Sequence, residues 1–360
     1  MENHMNYNRY IGIDVSKKML VCVGLKDNNT IERFQTKTEK KGLDKLMNWI
    51  KNDDLVALEA GNQAFALAKQ IMEKTGSKAI VLNPGDLVMI YRSLKKTDNE
   101  DALKLARLIK RIPQEELPIV SLPSEKEIDA RRLVSEQELI QTTKVRTINR
   151  LHALFVHAGM TYITKSDIKN RAKRYMYIDI MNKRFQCEAK RLNKQIELSE
   201  ELLVEVKEEI KNVLKANAEK VRYPLSMPGI GPMNAITILS YLGNVDRFSS
   251  GKQVAYYAGL VPRVDISGDT ARYGGIVKRG CKHIRRVIIQ AAWTLVKSSH
   301  GGELAKKYHE LKERRGTRKA IVAVARKMLE TIYAMMRDET YYRGSTKDFI
   351  DYKLKLFGLQ

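Results

Sequence analysis

The sequence predicts an α/β domain followed by an all-α region, and three observations carry that prediction. The first hundred residues alternate short apolar, β-branched runs with stretches of helical period. From Glu125 to Ala158, and again from Met160 to Tyr223, there is neither glycine nor proline, while Ala, Leu, Glu, Lys and Arg abound. At Pro224 the composition shifts, and glycine and proline return together in "SMPGIGPMNAITILSYLG".

Taken in order, "RYIGIDVSK" reads as an apolar strand ending on Asp14, and "MLVCVGLKD" and "TIERFQT" as two more. "KKGLDKLMNWIKN" has helical period, "DLVALEA" is a strand ending on Glu59, "NQAFALAKQIMEKTG" is a helix closed by Gly76, and "KAIVLNP" is a further strand. The order β-β-β-α-β-α-β-α is that of the ribonuclease H-like fold, an antiparallel meander feeding a mixed sheet flanked by helices. "SLKKTDNEDALKLARLIK" then starts a helix, with Thr97 as N-cap and Glu100 three residues on as the other half of a capping box.

That capping role is one reading of the acids in this stretch; the other is chemical. Asp98 and Asp101, spaced i, i+3, share a helix face. Asp14 and Glu59 end the first and fourth strands, which are neighbours in this topology. Taken singly, Asp14 reads as a strand-end turn residue and Glu59 as a solvated acid. Together, four carboxylates converging without a cation repel and raise one another's pKa, and a divalent metal resolves the conflict. Two Mg²⁺ ions about 4 Å apart suit phosphodiester chemistry.

Lys+Arg number 65 against 42 Asp+Glu, a net charge of +23 over 360 residues. This length suggests two or three domains, and the charge a polyanionic partner, with nucleic acid ahead of membrane surfaces. No apolar run approaches the length of a spanning helix and "MENHMNYNRY" lacks an apolar h-region, so a cytoplasmic protein is expected. Cys22, Cys187 and Cys281 are odd in number and widely spaced, with neither metal-ligand nor disulfide spacing.

Either side of Gly159 the two helical stretches suggest an antiparallel pair, with Leu192, Ile196, Leu203, Val206, Ile210 and Val213 tracing an apolar stripe. A spacer or dimerisation arm and a packing layer on the first domain both fit it. "PGIGP" has a helix-hairpin-helix signature, in which Gly229 and Gly231 permit a tight turn and let backbone N–H groups face a phosphate. Farther on, a loop holding Ser267 and Gly268 runs into Arg272, Lys278, Arg279, Lys282, Arg285 and Arg286. No hydrolase triad or GxSxG elbow accompanies the serine, which leaves a hydroxyl among phosphate binders, able to attack a phosphodiester.

With these motifs in view, the chain resembles the insertion-sequence 110 family of transposases, the DEDD recombinases guided by a bridge RNA. The resemblance spans nearly the whole chain and rests on "IGIDVSK", "LEAGNQAF", "KKTDNEDALKLARL", "MPGIGPMNA", "RFSSGKQVAYYAGLVP" and "ISGDTARYGGIVKRG". It implies a RuvC-like site of Asp14, Glu59, Asp98 and Asp101 binding Mg²⁺, with Glu100 outside the pattern, and Ser267 as a nucleophile joined covalently to DNA. It also implies a multimer, dimer to tetramer, in which one subunit's acids meet another's serine. Cys281 departs from the small polar residue expected after "KRG".

The expected organisation is a RuvC-like catalytic domain over 1–123, a helical coiled-coil arm over 124–222, a helical C-terminal transposase domain with helix-hairpin-helix and serine over 223–345, and a tail over 346–360. The expected function is a DNA transposase or site-specific recombinase, in a prokaryotic, nucleoid-associated setting, with donor and target DNA and a guide RNA as partners. The alternative is a metal-dependent nuclease or junction resolvase that hydrolyses with water, and a third class is a non-catalytic nucleic-acid-binding protein.

Overall fold

The computed structural model describes residues 7–61, 63–90, 97–267, 270–277 and 279–359, with backbone alone at 88–90, 264–267 and 270–273. The chain divides into two compact units, Met1–Pro123 and Ser124–Gln360.

In the first unit, β1 (Arg9–Val15), β2 (Met19–Lys26) and β3 (Ile31–Lys37) form the meander, followed by α1 (Lys40–Trp49), β4 (Asp54–Glu59), α2 (Ala64–Thr75) and β5 (Lys78–Leu82). Two helices, α3 (Pro84–Ile90) and α4 (Asp98–Arg111), and a short β6 (Ile119–Val120) complete it. The sheet order is β3-β2-β1-β4-β5-β6. β1 runs antiparallel to β2 and parallel to β4, and β4 is parallel to β5. The predicted element order is therefore present, with α3 and β6 added.

Both faces of this sheet are covered, which is why its strands read as nearly continuous apolar runs. Ile11, Ile13, Cys22, Val56, Leu58 and Val81 pack beneath α1 and α2. On the other face Leu55, Ala57, Ile80 and Leu82 meet Leu105, Leu108 and Ile109 of α4, and Val21 and Val23 meet Ala102 and Leu103. Each fully buried Leu or Ile contributes about 1.5–3 kcal/mol. Burial pushes the Cys22 thiol up to about 12, so that cysteine is inert packing.

The second unit opens with α5 (Glu125–His157), started by a complete capping box between Ser124 and Glu127. The predicted single helix after Gly159 is instead α6 (Lys165–Lys169), α7 (Arg171–Ile180), α8 (Lys183–Ala216) and α9 (Ala218–Ser226). Thr164 caps the start of α6, and breaks fall at Asn170 and Asn182, the side chains of all three accepting from backbone N–H groups of the following turn; at the third break Asn217 instead donates back to the Val213 carbonyl. Pro224, expected to mark a boundary, sits inside α9. The α5 and α8 helices lie antiparallel. Ile148, Leu151 and Phe155 pack with Ala189 and Ile196 at one end, and Ala130, Leu133 and Val134 share a core with Val206, Ile210 and Leu214 at the other.

That second core continues into α10 (Pro232–Leu242), α11 (Gly251–Tyr257), α12 (Lys282–Leu295), α13 (Gly302–Arg315) and α14 (Thr317–Arg337), while a hairpin of β7 (Pro262–Ser267) and β8 (Thr270–Ile276) connects α11 to α12. The segment expected to be a tail contains α15 (Lys347–Leu356), whose Ile350, Lys353 and Leu354 are buried. No helix among the described residues is long and apolar enough to cross a membrane.

Candidate active site

Asp14 and Glu59 reach the same end of the same sheet face by strand arithmetic. The last β1–β4 pair is Ile13↔Leu58, one residue short of both acids. Side chains alternate with period two, so Asp14 follows Tyr10 and Gly12 onto the α4 face, and Glu59 follows Leu55 and Ala57. The opposite face takes Ile11, Ile13, Val56 and Leu58.

Helix α4 brings the second pair of acids to that end. It runs antiparallel to β1: near its start Asn99 accepts from Gln35 at 3.5 Å, on the β3 residue that pairs with Val21, itself the partner of Asp14. Near its other end Lys110 donates to the carbonyls of Lys26 and Asp27, beside the Arg9↔Lys26 pair. The seat of the helix is Gly12. A Cβ there would stand 2.7 Å from the Ala106 nitrogen and 2.8 Å from the Leu105 Cβ, with the Ala102 carbonyl nearer still. Only glycine admits so close a helix. Asp98 and Asp101, in the turn ahead of Ala102, thus lie toward the Asp14 end of β1.

At the start of α4 the capping reading holds in part. The Thr97 hydroxyl accepts from the Glu100 N–H, while the return bond of a capping box is not among the described hydrogen bonds. The Asp101 carboxylate accepts from Lys104 Nζ at 2.6 Å. The residues from Ser93 to Lys96 lie outside the described residues. Among the described residues, no three His, Cys, Asp or Glu side chains close on a common point that would ligate an ion. The donor set of four carboxylates at one end of a face nonetheless suits a hard divalent cation, and Lys104 supplies the positive charge that Asp101 meets here.

In the second unit the structure corrects the local setting of the serine. Ser267 stands not in an irregular loop but at the end of β7, paired with Thr270 across the hairpin; its side chain, like that of Arg272, lies outside the described residues, as do Gly268 and Lys278. Pro262 pairs with Ile276 at the hairpin root. Five strand steps of about 3.3 Å put Ser267 roughly 16 Å farther out. Four of the cations can be placed. Arg279 and Lys282 are exposed near the root. Arg285 turns inward and donates to the Ala258 carbonyl at 2.9 Å, and Arg286 pairs with Glu138.

The glycine turn has a structural explanation of its own. Gly229 has φ +83°, and a Cβ on it would collide with the Ala291 carbonyl of α12, whereas Gly231, which N-caps α10 ahead of Pro232, faces open space. Sequence reasoning missed what holds this turn: Lys353 of α15, nearly fully buried, donates to the carbonyls of Met227 at 2.9 Å and Ile230 at 2.7 Å. Burial pushes its ammonium down to about 8. Also missed was His283, whose Nδ1 lies 3.2 Å from Glu138 and whose ring stacks on Tyr241 at 4.8 Å.

The class to which comparison with known proteins assigns this mixed sheet and its helical partner unit is that of the DNA transposases. Residues 11–159 match a family model for DEDD transposases of the IS110 type, and residues 223–310 match the model described as Transposase IS116/IS110/IS902 family. The chain belongs to the IS110 family of transposases. Among its relatives, the transposase for insertion sequence element IS1111A of Coxiella burnetii is 28% identical over 269 residues, 71% of each chain. The putative transposase y4qE of Sinorhizobium fredii is 26% identical over 292 residues, 79% of this chain and 71% of its own. The pilin gene-inverting protein of Moraxella lacunata is 24% identical over 351 residues, 91% of this chain and 95% of its own.

Proposed function

We propose that this transposase cuts and rejoins DNA through a carboxylate site of Asp14, Glu59, Asp98 and Asp101 together with a covalent phosphoserine at Ser267. The observation that carries the reading is the seating of α4 on Gly12, which brings two acids of a helix toward two acids of adjacent strands. Mg²⁺ held there supplies Lewis-acid polarisation of phosphodiester oxygens. Asp101, which meets Lys104 here, would be one of the residues that hold it.

The serine step conserves phosphoester bonds. Ser267 Oγ attacks phosphorus as one deoxyribose ester bond breaks; the hydroxyl proton leaves to a base, and the departing sugar oxygen takes one up. Rejoining reverses this with a new strand and needs no nucleotide. A serine at the end of β7, where the two-stranded ribbon turns, suits a nucleophile that must reach a phosphate outside its own unit. The acids therefore act with a serine delivered by folding or by a second subunit, in a dimer or tetramer, with the 124–222 helices as arm, the 223–345 region as serine domain and 346–360 as its tail. Choice of donor and target sites is assigned to a structured guide RNA, since contacts to phosphate position a strand without reading its sequence.

The relative that inverts a pilin gene supports rejoining over simple cleavage, because inversion conserves both ends. The test is denaturing electrophoresis with peptide mapping of protein trapped on a nicked substrate. DNA attached to Ser267, and a Ser267→Ala protein that binds DNA without exchanging strands, are expected. An adduct on Ser249, Ser250 or a tyrosine, or hydrolysis by water with no adduct, overturns the serine assignment.

A further inference from the structure

The corner between α13 and α14 carries a concentration of positive charge that the site above does not use. From Lys312 to Lys319 the sequence reads "KERRGTRK", five cations and one acid in eight residues. All eight are exposed. It lies beyond residue 310, where the second family match ends.

Elsewhere on the same two helices several cations are neutralised locally. Lys306 pairs with Glu303 at 3.0 Å, Arg326 with Glu330 at 2.9 Å and Lys327 with Glu330 at 3.2 Å. Among the described residues, Lys312, Arg314, Arg315, Arg318 and Lys319 enter no ion pair. The patch is also rigidly mounted. Gly316, at φ +77°, closes α13 with its N–H on the Lys312 carbonyl and starts α14. Leu304 and Tyr308 beneath one helix, and Ala320, Ile321 and Val324 beneath the other, are in the core. Five unpaired charges held on a fixed corner repel one another, and a polyanion relieves that cost.

We infer that this corner is a contact surface for the phosphate backbone of duplex DNA flanking the reacting site. No aromatic residue lies between Lys312 and Lys319, so the corner offers nothing for unpaired bases to stack on, which disfavours single strands. An exposed turn of arginine and lysine fits a backbone, since phosphate oxygens take the larger share of protein–DNA hydrogen bonds. The inference rests only on DNA being the substrate, not on the serine or the metal.

The test compares wild type with an Arg314→Gln/Arg315→Gln/Arg318→Gln protein and with a control, Lys306→Gln/Lys327→Gln, using a random-sequence duplex titrated at several salt concentrations. Melting temperatures unchanged in both variants establish that each is folded. The triple variant is expected to bind roughly tenfold or more weakly, with a log–log salt slope shallower by about 0.9 for each phosphate that it no longer neutralises. The control should match wild type. Unchanged affinity and slope in the triple variant, an equal loss in the control, or a loss on duplex RNA with none on duplex DNA, each overturns the inference. Wild type that fails to bind duplex DNA overturns it together with the proposed function; a steep wild-type slope shared by the variant overturns the corner alone.

Discussion

Replacing Gly12 by alanine tests the geometry of the acid site without touching an acid. The added Cβ would lie 2.7 Å from a backbone nitrogen and 2.8 Å from a side-chain Cβ of α4, where ordinary contact begins at 3.4 Å. Backbone cannot swing aside as a side chain can, so α4 must retreat by about 1 Å or the sheet must bend. Overpacking of this kind costs about 1–3 kcal/mol, which in a unit of this size lowers the melting temperature by roughly 4–12 °C. The same retreat carries Asp98 and Asp101 away from Asp14, and a 1 Å misplacement of catalytic groups can cost about a hundredfold in rate. Strand-exchange assays well below the melting temperature, with folded fraction checked by circular dichroism, separate the two losses. Gly24→Ala is the control, since its Cβ would make only ordinary contacts, with the Trp49 ring at 3.5 Å and Arg9 Cδ at 3.7 Å. A Gly12→Ala protein with wild-type stability and exchange would show that α4 does not seat on β1 as described.

Asp14→Asn, Glu59→Gln, Asp98→Asn and Asp101→Asn should each abolish exchange with little change in melting temperature, and a chelator should mimic them, whereas Glu100→Gln should be nearly silent; equal damage from Glu100→Gln and Asp101→Asn in a recombination assay would mean the wrong helix acids were chosen. Lys353 makes stability depend on pH. Its folded value, about 8, lies below the 10.5 of an exposed lysine, so between those values the unfolded chain binds the extra proton and stability rises with pH. The gain is about 3 kcal/mol; below pH 8 both states are charged and the contribution is flat. Denaturant melts of the second unit's transition from pH 7 to 10.5 should show this rise, and Lys353→Met should abolish it.

The strands and acids of the first unit were legible because both rest on short-range pattern: β-branched runs bounded by turns, with Asp14 and Glu59 at their ends. Gly12 was not, since a glycine inside a strand gives no sign of its helix partner until α4 is placed. The arm's breaks escaped because Asn170, Asn182 and Asn217 interrupt it without glycine or proline, the first two through side-chain caps. The hairpin was readable in hindsight from "VDIS" and "TARY" alternating about a two-residue Gly-Asp link, a hairpin signal obscured by reading the stretch for its cations. Lys353 could not be read at all, because a lysine in an amphipathic helix looks solvated, and only packing against the "MPGIG" turn buries it.

Helix α5 belongs to two cores at once, and that makes it mechanically a lever. Its far end is fixed by Leu151 and Phe155 in the arm's own cluster, while nearer its start Arg131 donates to the Ser240 carbonyl and Glu138 holds His283 and Arg286 at the head of α12. Between Glu138 and Phe155 the rod measures about 26 Å at 1.5 Å per residue. Any torque applied to the arm's tip arrives nearer the helix start as a change of tilt, felt by α10 through its packing on α5 and the Arg131 bond, and by α12, which also backs the Gly229 turn through Ala291, at Glu138.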